Sequence, residues 1–158
     1  MAGDDIYNDA LNLLEVLISS WKPDYVVVSA GFDAYRGDNE MVLLNIGTRF
    51  YYNIGRILTS NAKAVISVLE GGYGAGLDRA FKAYVMGILG LRNQFWDPPS
   101  YSSSIAWRMY KAYKRLTIAN ILKYNKINLP EEIAREVGTL EPRIRRYRRR
   151  KRKYKRYI

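Results

Sequence analysis

An α/β fold built on a parallel sheet is predicted by three features of the 158-residue sequence. Two short β-branched runs, DYVVVSAG and KAVISVLE, are the only stretches that read as strands buried in a core. Amphipathic stretches precede, separate and follow them, and that alternation is the signature of parallel strands joined by a helical crossover. Each run ends in small residues, SAG and EGG, and in sheets of this kind ligands bind off the carboxyl ends of the strands.

The elements follow in order. Residues 5–21 place Ile6, Ala10, Leu13, Leu14, Leu17, Ile18 and Trp21 on one helical face, with Asp4 or Asp5 as the expected N-cap and Pro23 as the stop. Residues 24–31 read as a strand covered on both faces, followed by a loop to about Gly47. TRFYYNIGRILTS (48–60) reads as a helix and 63–70 as the second buried strand. GGYGAG (71–76) is a glycine-rich loop, and 77–90 a helix stopped by Gly90. FWDPPSYSSS carries an N-cap signal for a long helix over 104–124, with an expected apolar face of Ile105, Met109, Leu116 and Ile121. PEEIAREV predicts a last short helix. The βαβ connection is expected to be right-handed. Two strands make a poor sheet, because both edges would present unpaired backbone. The body is therefore expected to be a partial three-layer α/β/α parallel sheet whose open edge is covered by a protein or RNA partner.

Charge is concentrated at one end. The chain has 26 Lys and Arg against 15 Asp and Glu, and RIRRYRRRKRKYKRYI (143–158) holds 11 of the cations and no acid. The remaining 142 residues are neutral, 15 cations against 15 acids. The cations Arg143, Arg145, Arg146, Arg148, Arg149, Arg150, Lys151, Arg152, Lys153, Lys155 and Arg156, with Tyr147, Tyr154 and Tyr157 between them, are candidate nucleic-acid ligands. Polycations neutralise phosphates and release counterions, and tyrosines stack on unpaired bases, so structured RNA is the expected partner. Ile144, Tyr147, Tyr154 and Ile158 would share one side of a helix, and folding on binding is expected. Arg108, Lys111 and Arg115 on the long helix could extend this basic surface. The tail lacks an apolar face large enough to enter a membrane, no 18-residue apolar run occurs, and no secretory leader is visible, so a cytoplasmic location is expected. The absence of cysteine excludes disulfides and thiolate chemistry, and together with the wealth of Tyr, Ile and Arg it weakly suggests a thermophile.

The motifs KPDYVVVSAGFDAYRGD, FYYNIGRIL and AVISVLEGGYGAGL, taken together, resemble the C-terminal half of the histone deacetylase and acetoin-utilisation protein family, an arginase/deacetylase-like fold. The resemblance runs from about Gly3 to about Tyr124. It divides the chain into a half-domain over 1–124, a linker with a short helix over 125–142 and the basic tail over 143–158. It implies that Asp33 corresponds to a zinc ligand and Tyr73 to the hydroxyl that stabilises the substrate oxyanion, with Gly71 and Gly72 letting backbone approach the pocket. On residue type alone, an Asp after a strand is a turn residue and Gly-Gly-Tyr a βα turn.

Departures from the family pattern are equally plain. The family's Asp-x-His loop and His-His pair lie upstream of the matching region, MAGDD resembles a loop in the middle of the domain, and this sequence has no histidine. Tyr35 stands where many members carry His, and GDNEMVLLN replaces the usual Pro and Gly-Gly. Zinc catalysis needs about three protein ligands, and Asp33 is one. The isolated chain is therefore expected to hold no cofactor and not to be an enzyme, with Asp33 and Tyr73 vestigial. The leading expectation is an inactive deacetylase-fold pseudoenzyme that binds RNA in a ribonucleoprotein such as the ribosome. The alternative is the C-terminal subunit of a two-chain zinc deacetylase, in which a His-bearing partner supplies the missing zinc ligands. A third reading is a decayed fragment without a role.

Overall fold

The computed structural model describes residues 1–36, 44–124 and 129–138. The chain divides into two compact units, Met1–Tyr110 and Lys111–Ile158. The rim residues 37–43 and the tail 143–158, to which some of the expectations above apply, lie outside the described residues.

In the first unit, β1 (Ala2–Gly3) leads into α1 (Asp4–Trp21), β2 (Tyr25–Gly31), β3 (Leu44–Asn45), α2 (Thr48–Asn61), β4 (Ala64–Gly71) and α3 (Leu77–Ile88). The helices and the two long strands fall where periodicity places them. β2 and β4 pair in parallel, Tyr25 beside Ala64 through Ala30 beside Leu69, and form a two-stranded sheet. The fold is thus the expected partial α/β arrangement.

Three local expectations are corrected. The N-cap of α1 is Gly3, and neither Asp4 nor Asp5 caps it, because both carboxylates are drawn to residues 100–107 and to other backbone amides. The stretch before Gly47 is not all loop. β3 pairs in parallel with β1, and Tyr35 bridges to Ile46, which holds the returning chain beside the end of β2. Among the described residues the sheet is covered on one face only. Val26, Val28 and Val65 pack against the core, and the Ser67 and Tyr84 hydroxyls share a hydrogen bond of 2.6 Å. Tyr25, Val27, Ile66 and Val68, which the register puts on the opposite face, are exposed. A continuous apolar run carries no period, so it could not show that its second face is bare among the described residues.

The covered side is a helical layer in which α2 packs on both α1 and α3. Gly55 and Gly87 make the α2–α3 contact a backbone contact. A Cβ on Gly55 would stand 2.6 Å from the Tyr84 carbonyl oxygen, and one on Gly87 would overlap the Tyr52 carbonyl. The core is centred on Phe32, with Ile46, Tyr51, Leu58, Ala80, Ala83 and Tyr84 around it. Helix α1 ends at Trp21, with Lys22 at φ 51° donating its N–H to the Ile18 carbonyl at 2.9 Å just before Pro23.

The long helix α4 (Ser104–Tyr124) and α5 (Glu131–Gly138) occur where expected. Ser103 accepts the Ala106 N–H at 3.2 Å, as the N-cap signal predicts. The buried side of α4 is a correction. Ile105, Met109 and Leu116 are exposed, whereas Ile118 and Ile121 are buried. At 3.6 residues per turn Ile121 lies nearly opposite the other three, on the side that also carries Trp107 and Tyr110. Within the second unit, Lys114 pairs with Glu136 at 3.1 Å.

Candidate functional site

The site forms where β2 and β4 end together. Register shifts between Ala30 and Gly31, so that Ala30 faces Leu69, Gly31 faces Gly71, and Glu70 is left over as a bulge. Bulges re-aim side chains at sheet ends. Here Ser29 donates to Glu70 Oε1 at 3.1 Å, and Phe32 N–H to the Gly71 carbonyl at 3.1 Å. Burial of the Phe32 ring against Tyr51, Phe81 and Tyr84 anchors the turn that carries Asp33.

Asp33 and the glycine loop meet. Asp33 Oδ1 accepts the Gly72 N–H at 3.0 Å. A Cβ on Gly71 would overlap Asp33 Oδ2. Gly72 sits at φ 107°, where its absent side chain would also press on Phe32 and Leu77 at 2.9 Å each. Only glycine reconciles that dihedral with that closeness. Tyr73 follows on the same loop, 86% exposed, with its hydroxyl on the Glu70 carbonyl at 3.2 Å. The structure therefore brings Asp33, Gly71 and Gly72 into one turn and leaves Tyr73 beside it, facing solvent. Asp33 is the carboxylate that could serve a cation there. Among the described residues no three His, Cys, Asp or Glu side chains are grouped to hold a metal. A zinc ion, which takes about three protein ligands, does not fit these residues alone.

A second constellation escaped the sequence reading. Tyr35 turns inward, buried, with its hydroxyl 3.4 Å from Asp97 Oδ1 and accepting Arg79 Nε at 3.2 Å. Asp97 also accepts the Thr48 N–H at 2.7 Å and pairs with Arg79. Burial pushes the Asp97 carboxyl up, but the Thr48 hydrogen bonding and the Arg79 and Arg36 guanidiniums outweigh it, and its pKa lies below the ordinary value. Asp4 joins Arg36 at 2.8 Å, Gly47 N–H at 2.7 Å and Ser100. Asp5 collects Ser102 and the Trp107 indole N–H at 2.8 Å; burial opposes its charge, yet these hydrogen bonds hold its pKa low as well. These groups clamp residues 97–107 over the starts of α1 and α2. The signal in the sequence is the spacing of Ser100 and Ser102 in a loop rich in proline, which reads equally well as a cap for the next helix.

No described helix is long and apolar enough to cross a membrane. The sequence pattern that defines the histone deacetylase domain matches residues 1–88. A probable deacetylase of Methanothermobacter thermautotrophicus is 33% identical over 79 residues, 49% of this chain and 24% of that protein. The uncharacterized protein MJ0535 of Methanocaldococcus jannaschii is 37% identical over 75 residues, 48% of this chain and 21% of that protein. Among solved structures, the histone deacetylase Clr3 superposes with a TM-score of 0.62 at 25% identity, over 75% of this chain and 20% of that one. The chain thus matches about a quarter or less of the length of each of these relatives.

Proposed function

This chain belongs to the histone deacetylase domain family, and we propose that it supplies the Asp33–Gly71–Gly72–Tyr73 part of a zinc-dependent deacetylase site whose other ligands come from protein outside this sequence. The observation that carries the reading is the turn itself. Asp33 is held by the Gly72 N–H at the shared end of two parallel strands, and Gly71 leaves the room that its carboxylate fills. Such a carboxylate suits a cation, and Tyr73 beside it would donate a hydrogen bond to a developing oxyanion once its hydroxyl leaves the Glu70 carbonyl. The bare face of the sheet supports the same reading, because Val27, Ile66 and Val68 call for a further layer. The missing ligands include histidines, which this sequence lacks.

The test is to purify the tagged chain from its native cells at low salt, identify bound protein by mass spectrometry, and measure zinc and hydrolysis of an acetyl-lysine peptide. A His-bearing partner, stoichiometric zinc, and loss of both zinc and turnover in Asp33→Ala are expected. An assembly without zinc overturns the proposal.

A second reading rests on a separate observation, the 11 cations without an acid in 143–158. That segment binds RNA, mainly through phosphates, and anchors the assembly to a ribonucleoprotein.

A further inference from the structure

Helices α1 and α2 lie side by side, and their facing rows are unusually polar for a helix–helix seam. Asn8, Asn12 and Glu15 recur on α1 at helical spacing, as do Arg49, Asn53 and Arg56 on α2. These rows line two adjoining hollows of about 370 and 450 Å3, and Asn8, Arg49, Asn53 and Arg56 line both. Neither the Arg49 nor the Arg56 guanidinium makes an ion pair or hydrogen bond among the described residues. The contrast with Arg36 and Arg79 is direct, since each of those is paired with a carboxylate. Asp4 and Asp97, which edge the larger hollow, are the very acids that Arg36 and Arg79 neutralise, so the middle of the groove keeps two uncompensated guanidiniums. Glu15 lines the smaller hollow with both arginines and pairs with neither among the described residues.

Aromatic surface stands beside the charge. Tyr52 and Trp96 line the larger hollow, and Trp96 is 76% exposed. The neighbouring Phe95 ring already carries the Arg79 guanidinium, 5.3 Å from its centroid, whereas Trp96 has no ring or cation partner among the described residues. Arg49 and Arg56 are seven residues apart, about 10 Å along the helix axis, so a ligand touching both is extended. Guanidinium forks with amide donors between them suit phosphate oxygens, and an exposed indole suits a flat heterocycle.

We propose that this groove binds a nucleoside phosphate, either free or at the end of an RNA strand, with its phosphate groups along the Arg49–Asn53–Arg56 row and its base against Trp96. Asp33 and Tyr73 do not line it, so it stands whether or not the deacetylase reading does.

The test is calorimetric titration of the full chain, at one fixed salt concentration, with ADP, adenosine and a 5′-phosphorylated single-stranded RNA hexamer. ADP is expected to bind more tightly than adenosine. The double variant Arg49→Gln/Arg56→Gln is expected to weaken ADP about tenfold or more, the scale of a lost charged hydrogen bond. Trp96→Ala is expected to weaken it several-fold. Both changes are at exposed positions, and unaltered thermal melts verify the fold. Binding of ADP identifies free nucleotide as the source. A response of the hexamer alone, lost in the same variants, identifies RNA. Equal affinity of the double variant for both probes, or no binding of either to the unaltered chain, overturns the proposal.

Discussion

Asp33 and Gly72 are joined across the sheet end by a hydrogen bond of 3.0 Å from backbone N–H to carboxylate. That bond holds the loop after β4 against the turn after β2, and Gly71 makes room for it. Gly71→Ala forces Asp33 out of place, and Gly72→Ala demands φ 107° of a residue with a side chain. Each change is expected to lower stability by about 1–3 kcal/mol, measured by urea unfolding. Asp33→Asn keeps an acceptor and is expected to cost about 1 kcal/mol or less. Wild-type stability in Gly71→Ala would show that the carboxylate is not held there.

The α2–α3 crossing gives a second prediction with two effects in competition. Alanine is favoured over glycine inside a helix by about 1 kcal/mol. At Gly55 and Gly87, however, the new methyl meets the backbone of the facing helix. Overpacking of this kind costs typically about 1–3 kcal/mol, so both Gly→Ala variants are expected to be destabilised on balance. Chemical denaturation of the two variants decides it, and a more stable Gly55→Ala would mean that the helices part without cost.

The extent to which all this was legible in the sequence follows from the range of each interaction. Helices and strands come from local periodicity, and α1, β2, α2, β4, α3 and α4 were readable for that reason. Asp33 and the glycine loop stand out only through the resemblance of the two strand-end motifs to the deacetylase family, because residue type alone reads them as ordinary turn residues. The clamp of Asp4 and Asp5 on Ser100 and Ser102 joins residues nearly a hundred apart, with no periodic signal between them. Tyr35 looked like a pocket-rim residue until its hydroxyl was seen on Asp97, 62 residues away. The bare sheet face was illegible because DYVVVSAG is apolar at nearly every position, whichever face is covered.

The clamp also sets the response to acid. Asp5 and Asp97 have pKa values below their ordinary 3.8 in the folded chain. A depressed carboxyl binds protons less readily when folded, so its stabilisation is fully present above the unfolded pKa and is lost as pH falls through the folded one. Stability is therefore expected to be level near neutrality and to decline below about pH 4. Asp97→Asn is expected to unfold more easily at pH 7 and to show a flatter decline in acid. Melts from pH 7 to pH 2 test this, and parallel curves for both proteins would contradict the assignment.

The uncovered face of β2 and β4 is expected to make the chain self-associate when purified without a partner. Val27 is 71% exposed and Ile66 55%, adjacent on one face. Val27→Lys with Ile66→Glu removes apolar surface without adding net charge. It is expected to raise the monomer fraction in sedimentation and to lower binding of a hydrophobic dye. Capture of the His-bearing partner should fall as well. A wild-type chain that stays monomeric at high concentration would mean that this face needs no cover.

The last prediction concerns the basic segment. Removing residues 143–158 takes away 11 cations and leaves a chain with 15 cations and 15 acids. Long-range attraction for a phosphate backbone then vanishes, and affinity for structured RNA is expected to fall by orders of magnitude, while Asp33→Ala and Tyr73→Phe leave it unchanged. Salt dependence separates this from other modes. About five phosphate contacts give a log–log slope of roughly −4.5 on a duplex and −3.5 on a single strand. Raising salt fourfold then weakens binding by roughly a hundred- to five-hundredfold. Sequence preference should be slight, since phosphate contacts position without specifying. RNA with bulges or loops should compete better than a plain duplex, because Tyr147, Tyr154 and Tyr157 need unstacked bases. Filter binding of the full and truncated chains over a salt series reads all of these. If the truncated chain holds RNA as tightly as the full one, the arginine-rich segment is not the RNA-binding element.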